Sequence, residues 1–336
     1  MTDETLPAGF LPDWAQEALA LVQGEIEAGL PAAVRTPGDG ATPVSILPNP
    51  APLRPYLLLA VSRHYGCTGP RPIRMAAAVQ MIHIASLLHE RLGDLGPARP
   101  ARGPEVQKVR HHQESLDILL GDFCFSWASG IIIADGEQRI IEDMIQTSQA
   151  SAEAQALIAG FQGRGESGPP GRCFTARADK VSLLIALALR TGANLGAAPE
   201  EEKAALSDFG LLLGKAMRIV EDLGLWTNSP GAVPARRREL KYSHPLLMLW
   251  EREGRDAWEN AVARLEGEEP GVVPDLWALL RRHGCPEASL QAARSHSRMA
   301  RERLEGQAGL AGLEELRELA GTRLCRMPAE FGEALG

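Results

Sequence analysis

Residues 75–95 read MAAAVQMIHIASLLHERLGDL. From Met75 to Leu88 only Gln80, His83 and Ser86 interrupt an apolar run, and polar residues gather only in the last turns, at His89, Glu90, Arg91 and Asp94. A segment this long, rich in Ala, Leu and Met and apolar around its whole circumference, predicts a helix with neighbours on every side. Residues 209–226, FGLLLGKAMRIVEDLGLW, have the same form and end in Glu221 and Asp222. Two such segments predict the centre of an all-α structure. Their acids lie at helix C-termini, where the macrodipole favours cations. Each cluster therefore reads either as the solvated exit of a buried helix or as a place that gathers positive charge.

Working outward, amphipathic spacing through Trp14, Ala18, Leu21 and Ile26 predicts a helix over 12–29, followed by a Pro- and Gly-rich stretch at 31–55. Helical patterns then cover 56–66, 72–94, 105–134, 137–160, 177–195, 201–226 and 243–265, with shorter ones near 272–283, 286–306 and 309–325. The breaks GRGESGPPGR (163–172) and TNSPGAVP (227–234) need not divide domains, and IIIADG (131–136) is the one segment with an ambiguous strand pattern. The expectation is a single all-α domain over 1–336, with an N-terminal arm and loop within 1–55 and ten or more helices.

Composition agrees. Hydrophobic residues make up 45%, aromatics only 5% and charged residues 23% of 336 residues, a mixture that favours packed helices. A net charge of -8 and a longest basic run of only Arg236–Arg238 argue against a nucleic-acid partner. No uncharged stretch of the length needed to span a bilayer follows the acidic start, which predicts a soluble cytoplasmic protein without a membrane span. Cys67, Cys124, Cys173, Cys285 and Cys325 are scattered and unpaired by motif, so neither disulfides nor zinc is expected. His83 reads as a core residue, and His111 and His112 as a solvated helix start.

In order along the chain, several segments resemble those of the trans-type polyprenyl diphosphate synthases, the family of farnesyl and geranylgeranyl diphosphate synthases. AAAVQMIHIASLLHERLGD is similar to the helix ending in the family's first Asp-rich motif, and FGLLLGKAMRIVEDLGL to the helix ending in the second. PLRPYLLL (52–59) resembles the end of a Gly-Lys-Arg-x-Arg-Pro segment, ARG (101–103) an Arg-Arg-Gly, LLGDF (119–123) a Gly-Asp core helix, ADKVSLL (178–184) a Lys-Thr-Ala segment, and LKYSHPLL (240–247) a Gly-Lys-x-Thr-Leu-Pro stretch. The resemblance implies the isoprenoid synthase fold, a helical bundle around a central cavity. It also implies an activity in which Mg2+ grips an allylic diphosphate, the C–O bond ionises, and isopentenyl diphosphate attacks the cation. Magnesium needs hard oxygen ligands facing one cavity, and Lys and Arg neutralise the departing diphosphate.

Measured against that pattern the chain departs at the chemistry. The first motif reads Glu90, Arg91, Leu92, Gly93, Asp94: the outer acids remain at i and i+4, but a cation replaces the middle acid. The second reads Glu221, Asp222, Leu223, Gly224, Leu225 and lacks its last acid. These four acids are the remnant catalytic and metal positions. Diphosphate-binding positions carried over are Arg54, Arg91, Arg102, Lys180, Arg218 and Lys241. Pro50, Ala51 and Pro52 stand where Gly-Lys-Arg would be, and Ala101 where the first paired arginine would be. Arg218 occupies a position where the family has Gln, and it equally reads as an ion-pair partner of Glu221 and Asp222. The small Ala85 and Ser86 stand at the floor of the family's product tunnel; Met81, Phe123 and Met217 read as tunnel lining or as ordinary core.

Three functions follow as expectations. The first is a catalytically degenerate subunit or prenyl-diphosphate-binding regulator, acting as a homodimer or as a heterodimer with a catalytic prenyl synthase. The second is an active but atypical prenyltransferase, with Mg2+ as cofactor if it is active and no cofactor otherwise. The third is a helical scaffold without ligand.

Overall fold

The computed structural model describes residues 10–30, 47–48, 50–94, 104–164, 169–227, 237–267 and 271–325, with backbone alone for residues 92–94, 104–111, 162–164, 237–238 and 322–325. The described residues are all-α. In chain order the helices are α1 (Asp13–Gly29), α2 (Leu53–His64), α3 (Pro70–Asp94), α4 (Pro104–Asp135), α5 (Gln138–Arg164), α6 (Pro170–Leu195), α7 (Glu200–Thr227), α8 (Arg237–Leu240), α9 (His244–Glu253), α10 (Arg255–Glu266), α11 (Val272–Arg282), α12 (Cys285–Glu305) and α13 (Glu314–Cys325), with a 3-10 turn at Ala308–Leu310. The chain packs as two compact units, residues 1–149 with 184–207, and residues 150–183 with 208–336.

In the first unit α3 is the core helix that its sequence demands. Met75 to Val79, Met81 and Leu88 are essentially inaccessible, and they pack with Leu58, Cys124, Ala128, Ile132 and Leu187. At roughly 25 cal/mol per Å2 of apolar surface removed from water, each fully buried Leu or Met contributes about 1.5–3 kcal/mol. Close packing needs small residues at the crossings. A Cβ on Gly121 of α4 would fall 2.3 Å from His89 Nε2, and one on Gly192 of α6 would fall 2.5 Å from the Leu58 carbonyl oxygen. Arg71 at the start of α3 and Asp135 at the end of α4 form a two-pronged pair, at 2.7 and 2.8 Å. IIIADG is therefore the last turn of α4, and Gly136, at φ 79°, turns the chain into α5.

The second unit is built on aromatics. Trp226 of α7 stacks on Trp277 of α11 at 6.0 Å, and Tyr242 lies between Phe161 and Trp258, at 5.8 and 6.2 Å. Gly214 of α7 lies against α6: a Cβ there would come within 2.4 Å of Ser182 Cα. The helix expected over 243–265 is instead two, because Gly254 adopts φ 85°, ψ -174°, a backbone conformation open only to glycine. The one expected over 309–325 is a 3-10 turn and a separate helix. Helix α6 starts seven residues before its expected start at 177 because Pro170 suits a first helical turn.

Helix α4 differs from α3 in one respect. Residues 112–135 are long and apolar enough to cross a membrane by length and composition, yet only 28% of their most apolar 18 residues are buried within the chain. Ile118, Leu119 and Ile133 share one face of it and are 44%, 65% and 59% exposed.

Candidate functional site

The acidic ends of α3 and α7 belong to different units, and each has its own construction. On α3, Glu90 is half-buried and Arg91 exposed; Asp94 ends the helix and its side chain lies outside the described residues. Arg91 directs Nη1 toward Asp117 Oδ1 on α4, at 3.7 Å. Asp117 is 2% exposed and also accepts a hydrogen bond from Gln113 Nε2 at 3.0 Å. Two residues earlier His89 sits over Gly121 and approaches Asp122 Oδ1 at 3.4 Å. The cation in place of the middle acid thus has a carboxylate partner on the neighbouring helix.

On α7 the spacing of Arg218, Glu221 and Asp222 at i, i+3 and i+4 puts all three on one face. Asp222 is fully buried. Its Oδ1 accepts from Arg218 Nε at 3.0 Å and from Arg218 Nη2, and Arg177 Nη2 of α6 lies 3.5 Å away. Its Oδ2 accepts the backbone N–H of His244 at 2.9 Å. Glu221 Oε2 is 3.4 Å from Arg218 Nη1. Burial alone would lower the proton affinity of Arg218, but Asp222 and Glu221 outweigh it and raise that affinity above the ordinary value.

The His244 contact explains how the segment after α7 is placed. Ser243 stands at the N-cap of α9 but makes no capping bond with its side chain. Its Oγ instead accepts from Trp226 Nε1 at 3.0 Å and donates to the Leu240 carbonyl at 2.7 Å. Asp222 supplies the missing acceptor from another helix, and its charge suits the positive end of α9. Arg177 completes the clamp by donating to the carbonyls of Glu239 and Tyr242, at 3.2 and 2.9 Å. The His244 ring pairs with Ser289 at 2.9 Å and meets Phe174 edge-on. Burial, opposed by Asp222, pushes its pKa down to about 4.

The other sequence-predicted residues fall as follows. Lys180, buried on α6, donates to Gln155 Oε1, and Lys241 pairs with Glu266 of α10. Arg54 is 1% exposed at the start of α2. Arg102 lies outside the described residues. Met81 and Ala85 are buried in the first unit's core, against which Phe123 packs as a partly buried residue; Ser86 is half-buried, and Met217 is buried in the second unit. His83 is a core residue and His112 is exposed. Among the described residues no three Asp, Glu, His or Cys side chains gather as metal ligands. Arg177, Asp117 and the His244 N–H are the participants that sequence reading missed. Arg177 precedes ADKVSLL by one residue and stands at i-3 from Lys180, a visible if weak signal.

Residues 46–233 match the family model of polyprenyl synthetases, more than half of the chain. A short chain isoprenyl diphosphate synthase of Methanothermobacter thermautotrophicus is 29% identical over 75% of this chain and 79% of its own length. A geranylfarnesyl diphosphate synthase of Methanosarcina mazei is 32% identical over 51% of this chain and 56% of its own. Among solved structures, a decaprenyl diphosphate synthase from Rhodobacter capsulatus superposes with a TM-score of 0.74 at 26% identity, over 93% of this chain and 97% of that one. The helices, the order of the motif segments and these likenesses define an isoprenoid synthase fold. The chain belongs to the polyprenyl synthetase family.

Proposed function

We propose that this polyprenyl diphosphate synthase-like chain is a degenerate member that binds a prenyl diphosphate and works as a subunit or regulator beside a catalytic prenyl synthase. The observation that carries the reading is Arg91: a cation stands in place of the middle acid of the first motif and reaches toward Asp117 at 3.7 Å. A carboxylate there would add a hard oxygen for Mg2+; a guanidinium adds charge that repels it and binds phosphate oxygens instead. Glu90 and Asp94 would flank the diphosphate, with Arg54 and Arg102 neutralising it. Where the chain does retain Mg2+, the ion would supply charge neutralisation at the departing diphosphate, held by Glu90 and Asp94. The exposed apolar face of α4 supports a dimer, either with a second copy or with a catalytic subunit, since Ile118, Leu119 and Ile133 would otherwise face water.

A second reading, an active synthase, is supported by the names of the relatives. The two are separated by incubating the purified chain with Mg2+, isopentenyl diphosphate and an allylic diphosphate and extracting the product. Turnover near one per second or faster, an ordinary enzymatic rate, overturns the degenerate reading. Binding of a prenyl diphosphate by calorimetry without turnover, together with co-purification of a prenyl synthase, supports it. A chain with neither ligand nor partner is a scaffold.

A further inference from the structure

We infer that Arg218 is a built-in cation of the second acidic segment: it takes the place of a divalent metal, so that Glu221 and Asp222 bind no Mg2+ in this chain. The inference rests on reading residues 221–225 as the remnant of the family's second motif, and it concerns only what the side chains of the second unit do. Magnesium takes oxygen ligands at about 2.0–2.1 Å in near-octahedral geometry and keeps several of its waters. Asp222 does not fit that requirement. It is fully buried, Oδ1 is enclosed by Arg218 and Arg177, and Oδ2 is bonded to the His244 N–H at 2.9 Å. A metal could reach Oδ1 only in place of Arg218, the nearer of its two guanidinium partners. Glu221 offers one more carboxylate, 3.4 Å from the same arginine.

Charge leads to the same assignment. Glu221 and Asp222 already face Arg218 and Arg177, with Glu239 acting on Arg218 from farther off, so a metal at these two acids would have to compete with guanidinium groups already held beside them. Helix α7 makes the arrangement cheap to form, since one turn brings Arg218 against both acids. Arg218 gives the N–H groups of Nε and Nη2 to Asp222 and turns Nη1 toward Glu221. It is therefore a counter-ion here and not a diphosphate ligand. Unlike a bound metal, this cation is permanent: neither chelation nor any physiological pH removes it.

Mn2+ serves as the probe, counted per chain by equilibrium dialysis, alone and with inorganic diphosphate, for the full-length chain and its Glu221→Gln, Arg218→Gln and Arg218→Lys variants. The wild type and Glu221→Gln are expected to bind the same number of ions. Arg218→Gln is expected to gain one ion, lost again when Glu221→Gln is added, whereas Arg218→Lys gains none. A wild type that binds one ion more than Glu221→Gln overturns the assignment, as does an Arg218→Gln chain with a native circular dichroism spectrum and no gain. If Arg218→Gln does not fold, the comparison of wild type with Glu221→Gln decides alone. Prenyl diphosphate binding is measured separately by calorimetry. Its absence overturns the proposed function, while the Mn2+ counts still decide the role of Arg218.

Discussion

Replacing Asp222 by Ala tests whether this acid is a structural element or a metal ligand. The substitution leaves Arg218, 7% exposed, with Glu221 at 3.4 Å as its nearest acid, and removes both the Arg177 contact and the cap on α9. Removing one partner of a buried ion pair costs about 3–5 kcal/mol, and losing an N-cap about 1 kcal/mol. Glu221 recovers part of this through Arg218, so the expected loss is about 4 kcal/mol, a large share of the roughly 5–15 kcal/mol typical of a folded protein. Asp222→Asn keeps an acceptor for the His244 N–H and loses only charge, and its loss should be smaller. Urea unfolding followed by tryptophan fluorescence measures both, because Trp226 bonds Ser243 and stacks on Trp277 within this cluster. Combining Asp222→Asn with Arg218→Gln should cost less than the sum of the single changes by about 1–3 kcal/mol, since each removes the other's uncompensated charge. A loss below about 1 kcal/mol for Asp222→Ala refutes the structural role. So does a wild type that excess Mg2+ stabilises by a few kcal/mol while Asp222→Ala gains nothing, the linkage expected of a metal ligand.

Three further outcomes follow from packing and burial. Gly214→Ala should destabilise by about 1–3 kcal/mol because its methyl would meet the Ser182 backbone; Gly130→Ala, with nothing within 4 Å, should stabilise by about 0.5–1 kcal/mol through helix propensity, and equal effects in thermal melts would contradict the α6–α7 crossing. His244 has a folded pKa of about 4 against 6.5 when exposed, so the unfolded chain binds more protons between these values. Its contribution is complete above pH 6.5 and is lost as pH falls toward 4, by roughly 3 kcal/mol in all; His244→Gln should flatten that part of the stability–pH curve. Burial holds the thiols of Cys124 and Cys285 up at about 11 and that of Cys173 at about 12, so alkylation mapped by mass spectrometry should label Cys67, which is half-buried, well before these three.

How much of this was legible in the sequence depended on the range of the interaction. The α3 run from Met75 to Leu88 declared its own burial, because no amphipathic face was present to be solvated. The Arg218 pairing was equally local, a matter of i+3 and i+4 spacing. Gly254 was missed because a lone glycine inside a helical pattern is usually tolerated; only the backbone shows the positive φ that ends α9. The expected starts of α4 and α5 fell within one residue of the observed ones, and α6 was extended by a proline that composition alone had assigned to a loop. The partners of Asp222 and Arg91 were not legible, because Arg177, the His244 N–H and Asp117 reach them only through tertiary packing.

That difference in range alters the weight of the retained acids. In the sequence, Asp222 counts as a surviving position of an acidic motif and so as a trace of metal chemistry. In the structure its identity is accounted for by two duties that need no metal: it balances Arg218 and Arg177, and it caps α9 from a neighbouring helix and so fixes the chain between α8 and α9. A side chain with those duties would stay in place in a chain that had lost its catalytic role, because its loss would cost the fold several kcal/mol. Its presence therefore argues for the fold and carries no weight for turnover. The weight shifts to Glu90, Arg91 and Asp94, where no comparable structural duty holds Arg91: an exposed guanidinium 3.7 Å from its partner contributes little stability. Arg91→Asp should change the Mg2+ dependence of prenyl diphosphate binding by calorimetry. Unchanged ligand and metal binding would show that this position no longer belongs to a site.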